Sequence, residues 1–249
     1  MTASASSCGA VSNEKCSLRT TELMRRAASL WHESLGDRLL GVYLLGSLAH
    51  GGFSRRYSDI DVALISNDGL APSELQGLTS QVATQFPEIV QPVSIFWTDA
   101  NFRLGRFPPL DRIDYLDHAV PLFQARHVVP ARPDLREVRA YLSGEPLQTW
   151  AKEVDRLVNA NELTTRDYKS CVRAILYSVR FIYSWKTGGV TSNDAAVAFV
   201  DKHGLFRPGM DLVRAALRVR QANDVPTSLF QQREMLRGLV DRCRDFIGR

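Results

Sequence analysis

The sequence predicts an α+β protein with an N-terminal α/β domain over residues 17–128 and an all-helical C-terminal domain over residues 129–249. Strand-like and helix-like segments alternate until about residue 125, which is the pattern of an α/β domain. After the proline-marked stretch HVVPARPD, the remaining segments have apolar residues at helical spacing. This change of pattern places the domain boundary near residue 128.

The α/β domain is predicted to follow a disordered segment, residues 1–16, which is rich in Ser, Ala and Gly. A helix is predicted next, as far as Leu35, because apolar residues from Leu23 to Trp31 recur at helical spacing. The following elements are predicted as strand, strand, helix and strand, from the segments RLLGVYLLG, DIDVALIS, APSELQGLTSQVATQF and PVSIFW.

The C-terminal domain is predicted to contain helices throughout. Three segments and the last forty residues of the chain support this prediction. The three segments are LQTWAKEVDRLVNANEL, TRDYKSCVRAILYSVRFIYSWKTGG and SNDAAVAFVDKHG. Their apolar residues recur every three to four positions, as on one face of a helix.

Composition excludes several classes of function. No apolar run approaches the roughly 20 residues that a helix needs to cross a bilayer, and the first residues lack the apolar core of a signal peptide. We therefore expect a cytoplasmic protein without a membrane partner. The four cysteines show no metal-ligand spacing, which argues against a structural zinc. Lys and Arg are not clustered between stacking aromatics, so nucleic acid is not a predicted partner despite the formal charge of +4.

The stretch LLGSLAHGGFSRRYSDIDVALIS contains two carboxylates inside an apolar strand. Side chains alternate along a strand, so Asp59 and Asp61 are predicted on one face while Ile60 and Val62 turn into the core. Two carboxylates on one face repel each other unless a cation lies between them. Mg²⁺ is commonly held by one or two carboxylates together with substrate phosphates, which predicts that both aspartates are Mg²⁺ ligands. The alternative is a pair of solvated acids on an edge strand.

The same stretch also contains a candidate phosphate-binding turn. Gly46 and Ser47 directly follow the strand GVYLL, and a short helix beginning near Ser47 would present free backbone N–H groups to an anion. Glycine lets the backbone approach a phosphate closely, and the Ser47 hydroxyl can donate to its oxygens. A plain turn is the alternative for this dipeptide taken alone.

Gly-Ser, eleven intervening residues and Asp-Ile-Asp within an apolar strand form a restrictive pattern. It resembles the nucleotidyltransferases of the DNA polymerase beta superfamily, over about residues 35–125. The resemblance implies a short mixed sheet and transfer of a nucleoside monophosphate from an NTP to a hydroxyl, with Mg²⁺ and release of pyrophosphate. It implies catalytic and metal-binding roles for Asp59 and Asp61, and nucleotide-binding roles for Gly46, Ser47 and Ser58.

The stretch VRFIYSWKTGGVTSNDAA is similar to the helical domain of streptomycin/spectinomycin adenylyltransferases, in which Arg-x-x-Tyr-Ser, Thr-Gly and a downstream Asp recur. This resemblance implies ATP as the nucleotide, a small hydroxylated acceptor resembling an aminoglycoside, and substrate contacts from Tyr183 and Asp194. A helix N-cap is an alternative role for Asp194. Trp185 is interpreted as a packing aromatic on an amphipathic helix.

The third strand departs from the superfamily, which usually has a carboxylate there that completes the metal site or acts as a general base. Ser94 takes that place in QPVSIFW. Losing a positioned base typically costs about 10²- to 10⁴-fold in rate. Asp111, Asp114 and His118, in the next helical stretch, are candidate substitutes, with exposed helix charges as the alternative.

Two classes of function follow from these patterns. The first is an enzyme that adenylylates a small hydroxylated molecule, with Arg56 and Lys202 as further candidate contacts to the nucleotide. The second is a catalytically weak or inactive protein of the same fold that binds a nucleotide or regulates a partner, for which Ser94 is the motivating observation. A variant of the first class has a protein or an RNA end as its acceptor.

Overall fold

The computed structural model describes residues 5–160, 164–206, 209–225, 229 and 231–248. The chain divides into two compact units, one of Val11–Arg132 and one that consists chiefly of Pro133–Arg249. Strands occur in the first unit, whereas the described elements of the second are helical.

The first helix, α1, is Ala5–Leu35, and it packs on the sheet through its second half. Met24 and Trp31 are fully buried, and their spacing of seven residues places them on one helix face. The indole N–H of Trp31 donates to the carbonyl oxygen of Leu78 at 3.1 Å, which satisfies the one polar group of that side chain.

The disorder predicted for residues 1–16 differs from the structure from residue 5 onward, because α1 already starts at Ala5, and residues 1–4 lie outside the described residues. A helix adds residues to an existing end at little cost once its nucleus has formed. The packed half of α1 provides that nucleus, so polar residues of ordinary helix propensity can continue it. Composition alone does not reveal this effect.

The sheet is mixed and has the strand order β3–β2–β1–β4. Its strands are β1, Leu39–Leu45; β2, Ile60–Ser66; β3, Val93–Asp99; and β4, Val120–Gln124. Strand β1 pairs antiparallel with β2 and β4, whereas β2 pairs in parallel with β3. The predicted fold class is confirmed, and the first three strands coincide with the predicted segments.

Helices cover both faces of the sheet. Helix α1 and helix α3, Pro72–Gln85, pack on the face that contains Ile60, Val62 and Leu64 of β2. Helix α4, Pro109–His118, packs on the opposite face, against Ala63 and Ile65. Because side chains alternate along β2, Asp61 lies on the α4 face.

The second unit is built around one long helix, α7, Thr165–Thr187. It contacts each of the other described helices of that unit. These are α5, Leu135–Ser143; α6, Glu145–Asn159; α8, Asn193–Lys202; α9, Met210–Ala222; and α10, Met235–Ile247. Within the described part of the chain, no helix combines the length and the apolar character that crossing a membrane requires.

Candidate active site

The turn after β1 contains the Gly-Ser pair and lies against the start of β2. Gly46 is the first residue of the short helix α2, Gly46–Ala49, and has a φ of +62°. A Cβ atom placed on Gly46 would overlap the carboxylate of Asp61 and would lie 3.2 Å from its Cγ. Both the backbone conformation and this close approach require glycine. The turn and the Asp-x-Asp segment are therefore in direct contact.

Asp59 and Asp61 lie on either side of the first residue of β2. That residue, Ile60, is fully buried, and its N–H donates to the carbonyl oxygen of Pro92 at 2.9 Å. Asp61 pairs with Ser94 in the parallel ladder between β2 and β3. Paired residues of adjacent strands share a sheet face, so Ser94 lies beside Asp61 on the α4 face. This is the position at which the resemblance implies a third carboxylate.

A network of serines joins α2 to the loop before β2. The hydroxyl of Ser47 donates to the hydroxyl oxygen of Ser58 at 2.9 Å, and the N–H of Ser54 donates to the same oxygen at 2.9 Å. Ser58 is only 4% exposed, so its hydroxyl oxygen is a buried acceptor for both hydrogen bonds. The bonds fix Ser47 relative to the residue that precedes Asp59. A nucleotide contact for Ser47 or Ser58 stays a prediction.

The N–H of Gly46 has an acceptor inside the protein. Asp114, in the middle of α4, accepts it through Oδ2 at 2.7 Å. Asp114 is 6% exposed, and its Oδ1 is buried without a hydrogen-bond partner in the described parts of the chain. The expectation that the turn presents free N–H groups to an anion is therefore wrong for Gly46, because a carboxylate from α4 already accepts this N–H.

Neighbouring side chains hold α4 in place. The hydroxyl of Tyr115 donates to the carbonyl oxygen of Val128 at 2.7 Å, and its ring packs edge-on against Tyr43, with 4.9 Å between centroids. Burial raises the pKa of Tyr115, so the hydroxyl stays protonated and remains a donor. Asp114 is thus presented to Gly46 from a helix that is anchored at the adjacent residue.

The other two candidate bases lie on the same helix. His118 is the last residue of α4, and its ring lies edge-on to that of His50, which follows α2, with 5.7 Å between centroids. Asp111 lies one turn before Asp114 and is half-buried. Sequence reasoning did not single out His50, because its place beside α4 depends on how that helix packs. Asp114 bonds directly to the Gly-Ser turn.

The two cationic candidates occupy exposed positions. Arg56 lies in the turn between α2 and β2, and Lys202 is the last residue of α8 in the helical unit. Their contacts with a nucleotide stay predictions.

The candidate acceptor contacts lie around the end of α7 and the start of α8. Tyr183 is half-buried and packs edge-on against Phe199, with 5.1 Å between centroids. The N-cap of α8 is Ser192, whose hydroxyl oxygen accepts the N–H of Ala195 at 3.3 Å, so the N-cap alternative for Asp194 is wrong. The carboxylate of Asp194 instead accepts a hydrogen bond from the side chain of Gln221.

Trp185 packs as the sequence predicted. Its ring is stacked on Phe181 with 6.1 Å between centroids and an interplanar angle of 10°. The guanidinium of Arg139 lies 5.4 Å from the centroid of the same ring and donates to the Trp185 carbonyl oxygen at 3.0 Å.

The donor set determines which metal the site suits. Among the described residues, no group of three or more His, Cys, Asp or Glu side chains is arranged to hold a metal ion. Mg²⁺ does not need such a group, because water and substrate phosphates complete its coordination. Two carboxylates with no nitrogen or sulfur ligand are unlike a zinc site. A metal role for Asp59 and Asp61 stays a prediction, and their carboxylate oxygens are the donor type that Mg²⁺ prefers.

A comparison with solved structures shows the fold. Spectinomycin adenyltransferase AAD(9) from Enterococcus faecialis, determined with ATP and spectinomycin, matches 90% of this chain and 98% of its own, with a TM-score of 0.68 and 12% sequence identity. The resemblance to nucleotidyltransferases is thus confirmed as a likeness of fold. No protein-family model and no curated protein matches the sequence.

Two toxin–antitoxin structures match more weakly. One was determined with AMP-PNP and matches 41% of this chain and 74% of its own at 20% identity, with a TM-score of 0.32. The other is a mutant of MntA-HpeT and matches 55% of this chain and 98% of its own at 18% identity, with a TM-score of 0.33. Scores this low support no argument about the fold.

Proposed function

We propose that this protein is a nucleotidyltransferase that transfers AMP from ATP, with Mg²⁺, to a hydroxyl of a small molecule resembling an aminoglycoside. The observation that supports it best is the contact between Gly46 and the carboxylate of Asp61. This contact brings a Gly-Ser turn and a pair of aspartates together at one end of the sheet. The fold of AAD(9), which was determined with ATP and spectinomycin, supports the same reaction class and suggests the type of acceptor.

In this reaction the acceptor oxygen bonds to the α-phosphorus and its hydroxyl proton passes to a base or to water. The bond between the α-phosphorus and the oxygen that bridges to the β-phosphate breaks, and pyrophosphate leaves with that oxygen. Asp59 and Asp61 would hold the metal ion, which, when bound, neutralises charge that develops on the phosphates. The Ser47–Ser58 bond keeps the turn beside these carboxylates. Arg56 and Lys202 are proposed to contact the triphosphate, and Tyr183 and Asp194 the acceptor.

A second candidate function is a nucleotide-binding module with little catalysis. The specific observation in its favour is Ser94, which lies in register with Asp61 where a carboxylate would be needed. Its hydroxyl is a poor base at neutral pH. Phosphoryl transfer still depends mostly on positioning and charge neutralisation, so the enzyme remains our first candidate.

ATP labelled at its α-phosphate distinguishes the two functions. The protein is incubated with labelled ATP, Mg²⁺ and a panel of aminoglycosides that includes spectinomycin, and label in the acceptor is measured. We expect transfer by the wild type and loss of both transfer and Mg-ATP affinity in Asp61→Ala.

The matched control is Asp68→Ala. Asp68 follows the opposite end of β2, and its carboxylate is exposed and pairs with Arg38 at 3.0 Å, so this variant should behave as the wild type. Binding of Mg-ATP without transfer to any small molecule would favour the binding module or an acceptor at a protein or RNA end. Unchanged affinity for Mg-ATP in Asp61→Ala would refute the site.

A further inference from the structure

Asp114 is a buried acid whose two carboxylate oxygens have different surroundings. One carboxylate oxygen accepts the Gly46 N–H at 2.7 Å, while the other is buried and has no hydrogen-bond partner among the residues that the structure describes. Burying an ionised carboxylate is costly unless it is well compensated. An apolar residue between Ile113 and Tyr115, both buried, would pack at this position without that cost. The presence of an acid here therefore calls for a functional reason.

The contacts that Gly46 makes with two carboxylates indicate what this functional reason is. Asp114 binds its N–H, and the carboxylate of Asp61 lies where its Cβ would be. The two carboxylates thus contact the same residue. Moving the Gly46 backbone by a few tenths of an ångström would change the space open to the Asp61 carboxylate, because the two residues are already in close contact.

We propose that Asp114 is a positioning residue, which holds the Gly-Ser turn and, through that turn, keeps Asp61 in the geometry that receives the metal and the nucleotide. This inference rests on the proposed function. The role of Asp114 is to accept one hydrogen bond at a fixed position, and its charge is not what the turn requires.

Two substitutions separate position from charge. Asp114→Asn keeps the shape and an acceptor oxygen for the Gly46 N–H but removes the charge, and its amide nitrogen takes the place of an oxygen that has no partner. Asp114→Glu keeps the charge but moves the carboxylate by one methylene group. Asp114→Ala removes both. Asp117→Ala is the matched control, because Asp117 lies on the same helix, points to solvent and pairs with Arg132.

Two measurements are made on each variant. The first is the hydrogen exchange rate of the Gly46 amide by NMR without nucleotide, which reports on the bond itself. The second is the affinity for Mg-ATP by calorimetry. In Asp114→Glu and Asp114→Ala we expect exchange at least about tenfold faster and Mg-ATP affinity weaker by on the order of 10- to 100-fold, the effect of leaving the Gly46 N–H without its acceptor. Asp114→Asn should stay within about threefold of the wild type in both measurements, as should Asp117→Ala.

The outcomes separate this inference from the function on which it rests. An unchanged exchange rate of the Gly46 amide in Asp114→Ala would overturn the positioning role. The role would also be overturned if Asp114→Asn lost as much Mg-ATP affinity as Asp114→Ala while Asp114→Glu kept the affinity of the wild type. If Asp114→Ala and Asp114→Glu fail to fold, Asp114→Asn alone decides, because a positioning role requires it to retain both properties. If the wild type does not bind Mg-ATP, the proposed function fails, and the anchoring of the turn is judged on amide exchange alone.

Discussion

Replacing Gly46 by alanine perturbs the candidate site where the Gly-Ser turn contacts the carboxylate of Asp61. The change has two consequences that the structure separates. Alanine must adopt a φ of +62°, and its Cβ must displace the carboxylate of Asp61. The first is a backbone effect on stability, and the second is a local effect on the metal site.

The control for the backbone effect is Gly36→Ala. Gly36 has a φ of +56°, and a Cβ placed on it would meet no atom within 4 Å. A left-handed conformation costs roughly 1–2 kcal/mol for an L-residue, part of which is offset by the lower entropy of the unfolded chain. Gly36→Ala should therefore lower the free energy of unfolding by about 1 kcal/mol and leave ligand binding unchanged.

Gly46→Ala should lower the free energy of unfolding by the same amount or more, and it should also weaken Mg-ATP binding. Asp61 has to leave its position, so a loss of about tenfold or more in affinity is expected, equivalent to about 1.4 kcal/mol. Urea unfolding measures the first effect, and calorimetric titration with Mg-ATP measures the second. Equal affinities in Gly46→Ala and Gly36→Ala would show that the contact between the turn and Asp61 does not matter for binding.

Two further predictions concern β3. Ser94→Asp adds a carboxylate on the sheet face of Asp61, so we expect tighter Mg-ATP binding. If the wild type lacks a positioned base, kcat should also rise by about 10²- to 10⁴-fold while the KM for the acceptor stays unchanged. An unchanged kcat would assign proton removal to another residue. At the other end of β3, burial raises the pKa of Asp99, but hydrogen bonds from the N–H groups of Leu104, Arg103 and Asn101 outweigh it and lower the pKa below the usual 3.8. A lowered folded-state pKa contributes stability above the unfolded pKa that is lost as the pH falls through the folded value, so Asp99→Ala should be less stable than the wild type by about 1–3 kcal/mol at pH 7. This difference should shrink as the pH falls below about 4, and a gap that persists at lower pH in acid unfolding would contradict the assignment.

The sequence predicted the parts of the fold that depend on local periodicity. Strands β1 to β3 and helices α3 and α7 all lie where apolar runs or apolar spacing placed them. Strands β1 and β2 are buried on both faces and therefore show as short continuous apolar runs, whereas a helix buried on one face leaves a period of about 3.6 residues in the sequence. The Gly-Ser and Asp-x-Asp spacing led to the likeness with nucleotidyltransferases, which the match to AAD(9) confirms at the level of fold. The start of α1 was not predicted, because its helical state depends on the packed half that follows.

The pairing of residues distant in the sequence could not be predicted in the same way. Local spacing alone predicts that a glycine turn ends one strand and that two aspartates lie at the start of the next strand along the chain. It named Asp114 as one of three acids and bases on a helix, but nothing in LDRIDYLDHA distinguishes an exposed acid from a buried one. Only the folded chain shows that Asp114 accepts the Gly46 N–H and that Ser94 lies beside Asp61. Both contacts depend on the register of strands and the rotation of α4 on the sheet, which are set by the packing of the whole core and not by any single segment.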